Sequence, residues 1–137
     1  MSFSAELTKW IDKTKTDMTL VVRKIALDLF SRIVLKTPVK TGRARMNWHV
    51  SIGQIRDELI ALEAEYSATG AYQKALADAT AEINSYNDAE LAIFILNNLP
   101  YIERLEDGSS VQAPNGMVRI TLEEYPYIVE DAVKEVQ

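Results

Sequence analysis

Phe3, Leu7, Trp10 or Ile11, Met18, Val21 or Val22, Ile25, Leu29 and Ile33 recur at steps of three and four, the period of one apolar helix face. The pattern predicts a helix over residues 3–36. Ser2 or Ser4 can cap its start, and Glu6 in the first turn suits the positive end of the helix dipole. Lys36 stands at the other end, and Thr37-Pro38 stops the helix, because the residue before a proline is pushed out of the α region. Unbroken, such a helix is roughly 50 Å long at about 1.5 Å per residue. The stripe thins around Thr14 to Thr16, where a break is allowed. A domain this small cannot cover so long a helix everywhere, which predicts that part of it packs on another chain.

The period then changes. From Arg43 to Gly53, Ala44, Met46, Trp48, Val50 and Ile52 alternate with Arg45, Asn47, His49 and Ser51, predicting a strand with one buried and one polar face. Ile55, Leu59 and Leu62 give residues 54–65 helical spacing, although a strand arm fits as well. "SATGA" reads as a turn, residues 72–86 as an alanine-rich helix, and "NSYND" as a loop. "ELAIFILN" (90–97) is almost wholly apolar, as in a central strand covered on both faces. "PYIERLEDG" predicts a short helix with Pro100 in its first turn and Gly108 at C′, burying Tyr101, Ile102 and Leu105. After the loop "SSVQAPNG", Pro114 and Asn115 start a last rhythm, Val118, Leu122, Tyr125, Val129, Ala132 and Val136. That rhythm runs through Pro126 and predicts one kinked helix. The fold class is α+β: a small antiparallel sheet packed by a long N-terminal helix and a kinked C-terminal helix. The 137 residues form one domain, with a variable arm at about 54–89.

Composition narrows the chemistry. The chain is 47% apolar and 26% charged and contains no cysteine, so disulfides, thiol catalysis and zinc–cysteine sites are excluded. No run is long enough to cross a bilayer, and the first residues lack a signal-peptide core. Charge is polarised. Residues 1–56 carry eleven Lys/Arg against four Asp/Glu, a net of +7; residues 57–100 carry one against eight, −7; residues 101–137 carry three against eight, −5. Two readings follow: head-to-tail contacts between copies, or docking on charged neighbours, and neutralisation of one segment by another inside a single fold.

Reactive constellations are missing. His49 is the only histidine; it has no second histidine or cysteine for a transition metal and no acid placed to complete a triad with Ser51. Glu106-Asp107 and Glu123-Glu124 are adjacent in sequence, so their carboxylates diverge on a helix instead of pairing. Phosphate-loop, dinucleotide and calcium-loop signatures are absent. The expectation is a protein that is not an enzyme and has no cofactor or metal. "LKTPVKTGRARMNWHV" (35–50) carries Arg43, Arg45 and one glycine, Gly42. A phosphate cradle needs a strand leading into a helix N-terminus; here the order is helix, turn, strand, which favours a connection with the arginines on the solvent or interface side. A small nucleic-acid-binding module using the basic first third is the alternative from another class, and the acidic remainder argues against it.

Two blocks stand out together. Thr37, Pro38, Thr41, Gly42, Arg43, Arg45 and Trp48 follow the pattern TPVxTGRxRxxW. Asn97, Asn98, Pro100, Tyr101, Leu105, Glu106, Gly108, Ser110, Gln112, Ala113, Pro114, Gly116 and Met117 follow NxxPYxxxLExGxSxQAPxGMV. The combination, spanning residues 37 to about 124, closely resembles the neck, or minor tail-component (tail completion), family of long-tailed bacteriophages. That resemblance implies a non-enzymatic virion protein of the head–tail junction, in a ring that is commonly sixfold. Its partners would be other phage neck, connector and tail proteins, with viral DNA passing through the lumen without specific binding and no membrane. A tail-terminator or head-closure ring protein at a neighbouring level is the alternative within the class. Trp48 and the buried strand face are expected to anchor the sheet, with Pro100, Tyr101 and Leu105 tucking the short helix onto it. The loop 109–116, with Ser110, Gln112, Pro114, Gly116 and Met117, is the expected subunit contact. Arg43 and Arg45 are expected to pair with Glu106 or Asp107 of the same or the adjacent chain.

Overall fold

The computed structural model describes residues 3–57, 59–60, 66–88 and 90–136. It is α+β. The order is α1 (Phe3–Lys36), α2 (Arg43–Met46), β1 (His49–Ile52), α3 (Ala68–Asn84), β2 (Ile93–Leu96), α4 (Ile102–Glu106), α5 (Val118–Glu123) and α6 (Tyr125–Val136). α1 is continuous through Thr14–Thr16 for its 34 residues. Only its second half reaches the core: Ala26, Phe30, Ile33 and Val34 are buried, while Leu7 and Met18 stay exposed. The helix is therefore longer than this chain covers.

α1 packs against α3 and α6. The face of α3 that meets the core carries Ala71, Ala75, Ala79 and Ile83, one residue every turn. Small side chains there let the two helices approach closely. Trp48 and Val50 fill the space between them, with Ala113 and Met117 closing the same cluster from the second block. Ser67 caps α3, its hydroxyl accepting from the Gly70 N–H at 3.0 Å.

The strand reading of residues 43–53 needs correction. Gly42 adopts φ +91° and starts a single helical turn, so Arg43–Met46 is α2 and the strand is confined to His49–Ile52. Its polar side is not solvated either: Asn47, His49 and Ser51 are buried. Arg56 and Ile60 of the following segment bond back to it. Asn47 Nδ2 donates to Ile60 O at 3.2 Å and its Oδ1 accepts from Ile60 N–H at 2.8 Å. Arg56 donates to Val50 O at 2.6 Å, and Asn98 Nδ2 donates to Arg56 O at 2.9 Å. For Asn47 and Ser51, whose hydroxyl donates to Gln54 O, hydrogen bonds to this segment replace the water that alternation predicts. Residues 58 and 61–65 of the arm lie outside the described residues.

β1 pairs antiparallel with β2 in a two-stranded sheet, His49 opposite Leu96 and Ile52 opposite Ile93. β2 is half-buried along its length, so the centre-strand expectation for 90–97 is also corrected; its apolar run faces a ladder with one neighbour. The last rhythm breaks at Glu124 into α5 and α6. Pro126 has no N–H to return to Leu122 O and disfavours helical geometry at Tyr125. The start falls at Val118, later than Pro114.

The charge polarity is partly resolved within the chain. α1 and α6 run antiparallel, and their junctions are ionic: Lys24 with Glu135 near one end, Arg32 and Lys36 both with Glu124 near the other. Glu124 sits below the ordinary carboxylate pKa, chiefly through its hydrogen bond to Lys36 and also to Arg32, against a smaller opposing effect of burial.

Candidate functional site

The two blocks, some sixty residues apart in sequence, meet at the C-terminal end of α1. Thr37 is the hub of the first. Its hydroxyl donates to Ile33 O at 2.8 Å and accepts from the Trp48 indole N–H at 2.8 Å, at 1% exposure. The helix stop and the buried tryptophan are thus one connected unit. Arg45 completes it. Its guanidinium donates to Leu35 O at 2.8 Å, Thr37 O at 2.9 Å and Ala68 O at 2.9 Å. Two of these carbonyls belong to the end of α1, where helices leave acceptors without partners and a cation is favoured; the third belongs to the start of α3. Burial lowers the Arg45 pKa, and the side chain stays protonated.

Gly42 lies where this unit meets α3. A Cβ there would stand 3.0 Å from Tyr66 Cβ and 3.1 Å from Ala71 Cβ, at a φ that disfavours any L side chain. Gly42→Ala is expected to cost about 1–2 kcal/mol, read as a lower urea midpoint with an unchanged slope. A midpoint equal to that of the wild type would show that the turn is not constrained.

The second block is organised by Glu106. Its carboxylate accepts from the backbone N–H groups of Met117 and Val118 on one oxygen and Arg119 on the other, each at 2.9 Å. These are the donors that the first turn of α5 leaves open. Burial opposes the charge, but the three donors and the nearby Arg119 prevail and hold Glu106 below the ordinary carboxylate pKa. Gly108 is at C′ of α4 with φ +91°, as its sequence position predicts. Asp107 lies 3.9 Å from Arg119.

The blocks are fastened to each other. Gln112 spans Val39, accepting from its N–H at 2.9 Å and donating to its O at 3.2 Å. Asn97 Nδ2 donates to Ala44 O at 2.9 Å, and its Oδ1 accepts from Leu99 N–H at 3.2 Å. Between the fastenings lies a cleft of about 370 Å³ lined by Pro38, Val39, Lys40, Thr41, Arg43 and Ala44 from one block and Tyr101, Leu105, Ser110 and Gln112 from the other. Among the described residues its lining holds two cations and no carboxylate. Val111 stands beside it on the fastened loop, 96% exposed.

Several expected interface residues have other positions. The pairing of Arg45 with Glu106 does not occur in this chain: Arg45 is held by carbonyls and Glu106 by N–H groups. Gly116 and Met117 are buried within the chain. Gln112 is exposed but serves the internal clasp. Arg43, Ser110 and Pro114 remain accessible to differing degrees, with Arg43 and Pro114 exposed and Ser110 half-buried. Pro100 precedes the cap residue Tyr101 instead of entering the first turn of α4. The pattern marked Asn47 only as a polar-face strand residue and Glu124 only as one of two adjacent acids. Both act through partners distant in sequence, for which a linear pattern has no signal.

Among the described residues, no group of three or more His, Cys, Asp or Glu is placed to hold a metal, and no helix is long and apolar enough to cross a membrane. His49 is 7% exposed; its Nδ1 lies 3.0 Å from Asn47 O and its Nε2 has no partner. No protein-family model, curated protein or solved structure matches the chain.

Proposed function

We propose that the chain is a non-enzymatic structural subunit of the head–tail junction of a long-tailed bacteriophage, acting in neck or tail completion as a member of a homo-oligomeric ring, sixfold by family resemblance. The observation that carries this reading is the convergence of the two family-like blocks on one fastened surface. Thr37, Trp48, Arg45, Asn97, Glu106 and Gln112 are spent on building that surface, and none is arranged around a reacting group. The unpaired cleft cations and the exposed first half of α1 supply contact surface that a solitary domain does not need.

In this reading the protein resides in the virion and passes through the host cytoplasm during assembly. It contacts connector and tail proteins, and DNA traverses the ring lumen without specific binding. A phage lacking the gene is expected to accumulate filled heads and separate tails, seen by electron microscopy, with infectivity restored by the protein supplied in trans. Normal virions from the deletion would overturn the proposal. Tails of uncontrolled length would instead place the subunit one level away, as a tail terminator.

A further inference from the structure

Several cations of α1 find acids within the chain, as Lys24 does with Glu135 and Arg32 and Lys36 do with Glu124. Lys40 and Arg43 do not. Both are exposed, and among the described residues neither side chain has an ion pair or hydrogen bond. Glu106 of the second block already has both oxygens occupied by N–H donors. The walls between which the two cations stand are held by the Gln112–Val39 clasp, so the cleft is formed before anything enters it.

Two of the acids that have no ion pair among the described residues lie at the other end of the strand pair. The cleft end of the ladder is fixed by Asn97 donating to Ala44 O. At the far end Ile52 pairs with Ile93, and the chain before β2 carries Asp88, Glu90 and Leu91. The four-pair ladder alone separates the two ends by roughly 10 Å at about 3.4 Å per residue. Asp88 and Glu90 are exposed and have no ion pair among the described residues. Asp88 Oδ1 accepts from the Glu90 N–H at 3.0 Å, which stiffens the turn, and Leu91 is 46% exposed.

We propose that the cleft of one copy of this chain receives the acidic turn of a second copy. The carboxylates of Asp88 and Glu90 meet Lys40 and Arg43, Leu91 packs toward Tyr101 and Leu105, and Val111 at the rim covers the contact. Opposite charge steers the approach and fixes the register, and the apolar anchor excludes water from the pairs. Because the two surfaces differ and lie at opposite ends of the sheet, the contact is head-to-tail and repeats from copy to copy, as a ring requires. This inference rests on the ring reading and names the contact that builds it.

The test compares the wild-type chain with Lys40→Ala/Arg43→Ala and Asp88→Asn/Glu90→Gln by sedimentation velocity up to about 1 mM, a range that captures weak association. Circular dichroism confirms that each variant is folded. The wild type is expected to oligomerise, and each variant to associate at least about tenfold more weakly. Mixing the two variants is expected to restore only a 1:1 complex, because one intact cleft and one intact turn remain. The chain has no cysteine, so Val111→Cys and Glu90→Cys chains, mixed and oxidised, are expected to cross-link to each other in preference to themselves. Wild-type oligomers that both variants leave unchanged would overturn this contact while leaving the ring reading standing. A wild type that is monomeric throughout, with no cross-link between positions 90 and 111, would overturn both. Predominant Val111→Cys homodimers would show a two-fold contact instead. Retention on duplex DNA that depends on Lys40 and Arg43, without any change in oligomer, would assign the cations to phosphate.

Discussion

Glu106→Ala is expected to lower the stability of the chain by about 3 kcal/mol, because three backbone N–H groups at the start of α5 lose one charged acceptor together. Glu106→Gln keeps an acceptor oxygen without the charge and is expected to lose about half as much. Urea midpoints with unchanged slopes measure both. The charge has a pH signature. The folded pKa of Glu106 lies below its ordinary value, so the unfolded chain takes up the proton at the higher pH. The stabilisation is then complete above the unfolded carboxylate pKa, about 4.3, and is lost as pH falls through the lower folded value. The deficit of Glu106→Gln relative to wild type is therefore expected to shrink on acidification through that window. A deficit constant from about pH 7 to about pH 3 would show that the carboxylate acts only as a spacer. Glu124 is shifted in the same direction, so the Gln variant retains part of the acid sensitivity of the wild type.

Arg45→Ala is expected to cost about 2–3 kcal/mol, since it removes the common donor of Leu35 O, Thr37 O and Ala68 O and with it the tie between the end of α1 and the start of α3. Arg45→Lys separates charge from geometry. An ammonium keeps the cation at the helix end, but it cannot present the planar fork that reaches three carbonyls. Lysine is expected to recover less than half of the loss, read from thermal and urea unfolding of the three proteins. Full recovery would mean that the favourable charge at the helix terminus suffices. The two variants act at different places, one inside each block, so their effects are expected to add.

Both predictions concern residues whose type stood out in the sequence and whose role did not. Arg43 and Arg45 are two positions apart and look equivalent in an alternating strand. A single helical turn after Gly42 separates them, leaving Arg43 in the solvent and turning Arg45 toward the carbonyls of α1. Glu106 and Asp107 look like a surface pair; the chain passes Glu106 again eleven residues later and gives it three donors, while Asp107 keeps only a distant arginine. The burial of Asn47 and Ser51 has the same origin, because their partners Ile60 and Gln54 come from the segment that follows the strand. Alternation reports which side of a strand is polar, and it cannot report whether another segment supplies the hydrogen bonds that water would.

What the sequence by itself determined is local. Three- and four-residue apolar steps set the existence of α1, α3 and the broken last helix. Thr37-Pro38 ended α1, Gly108 took C′ of α4, and Pro126 disrupted the final helix, each through backbone geometry that a residue carries wherever it occurs. The tertiary structure alone decided which partner each polar group takes. Gln112 on Val39, Asn97 on Ala44, Glu106 on the start of α5 and Arg45 on two helix ends are contacts between segments whose meeting depends on how the whole chain packs. Among the described residues, the same packing left Lys40 and Arg43 without an acid at one end of the sheet and Asp88 and Glu90 without a base at the other. Hydrophobic period is a property of neighbours in sequence, whereas a hydrogen bond or ion pair within about 3 Å is a property of neighbours in space.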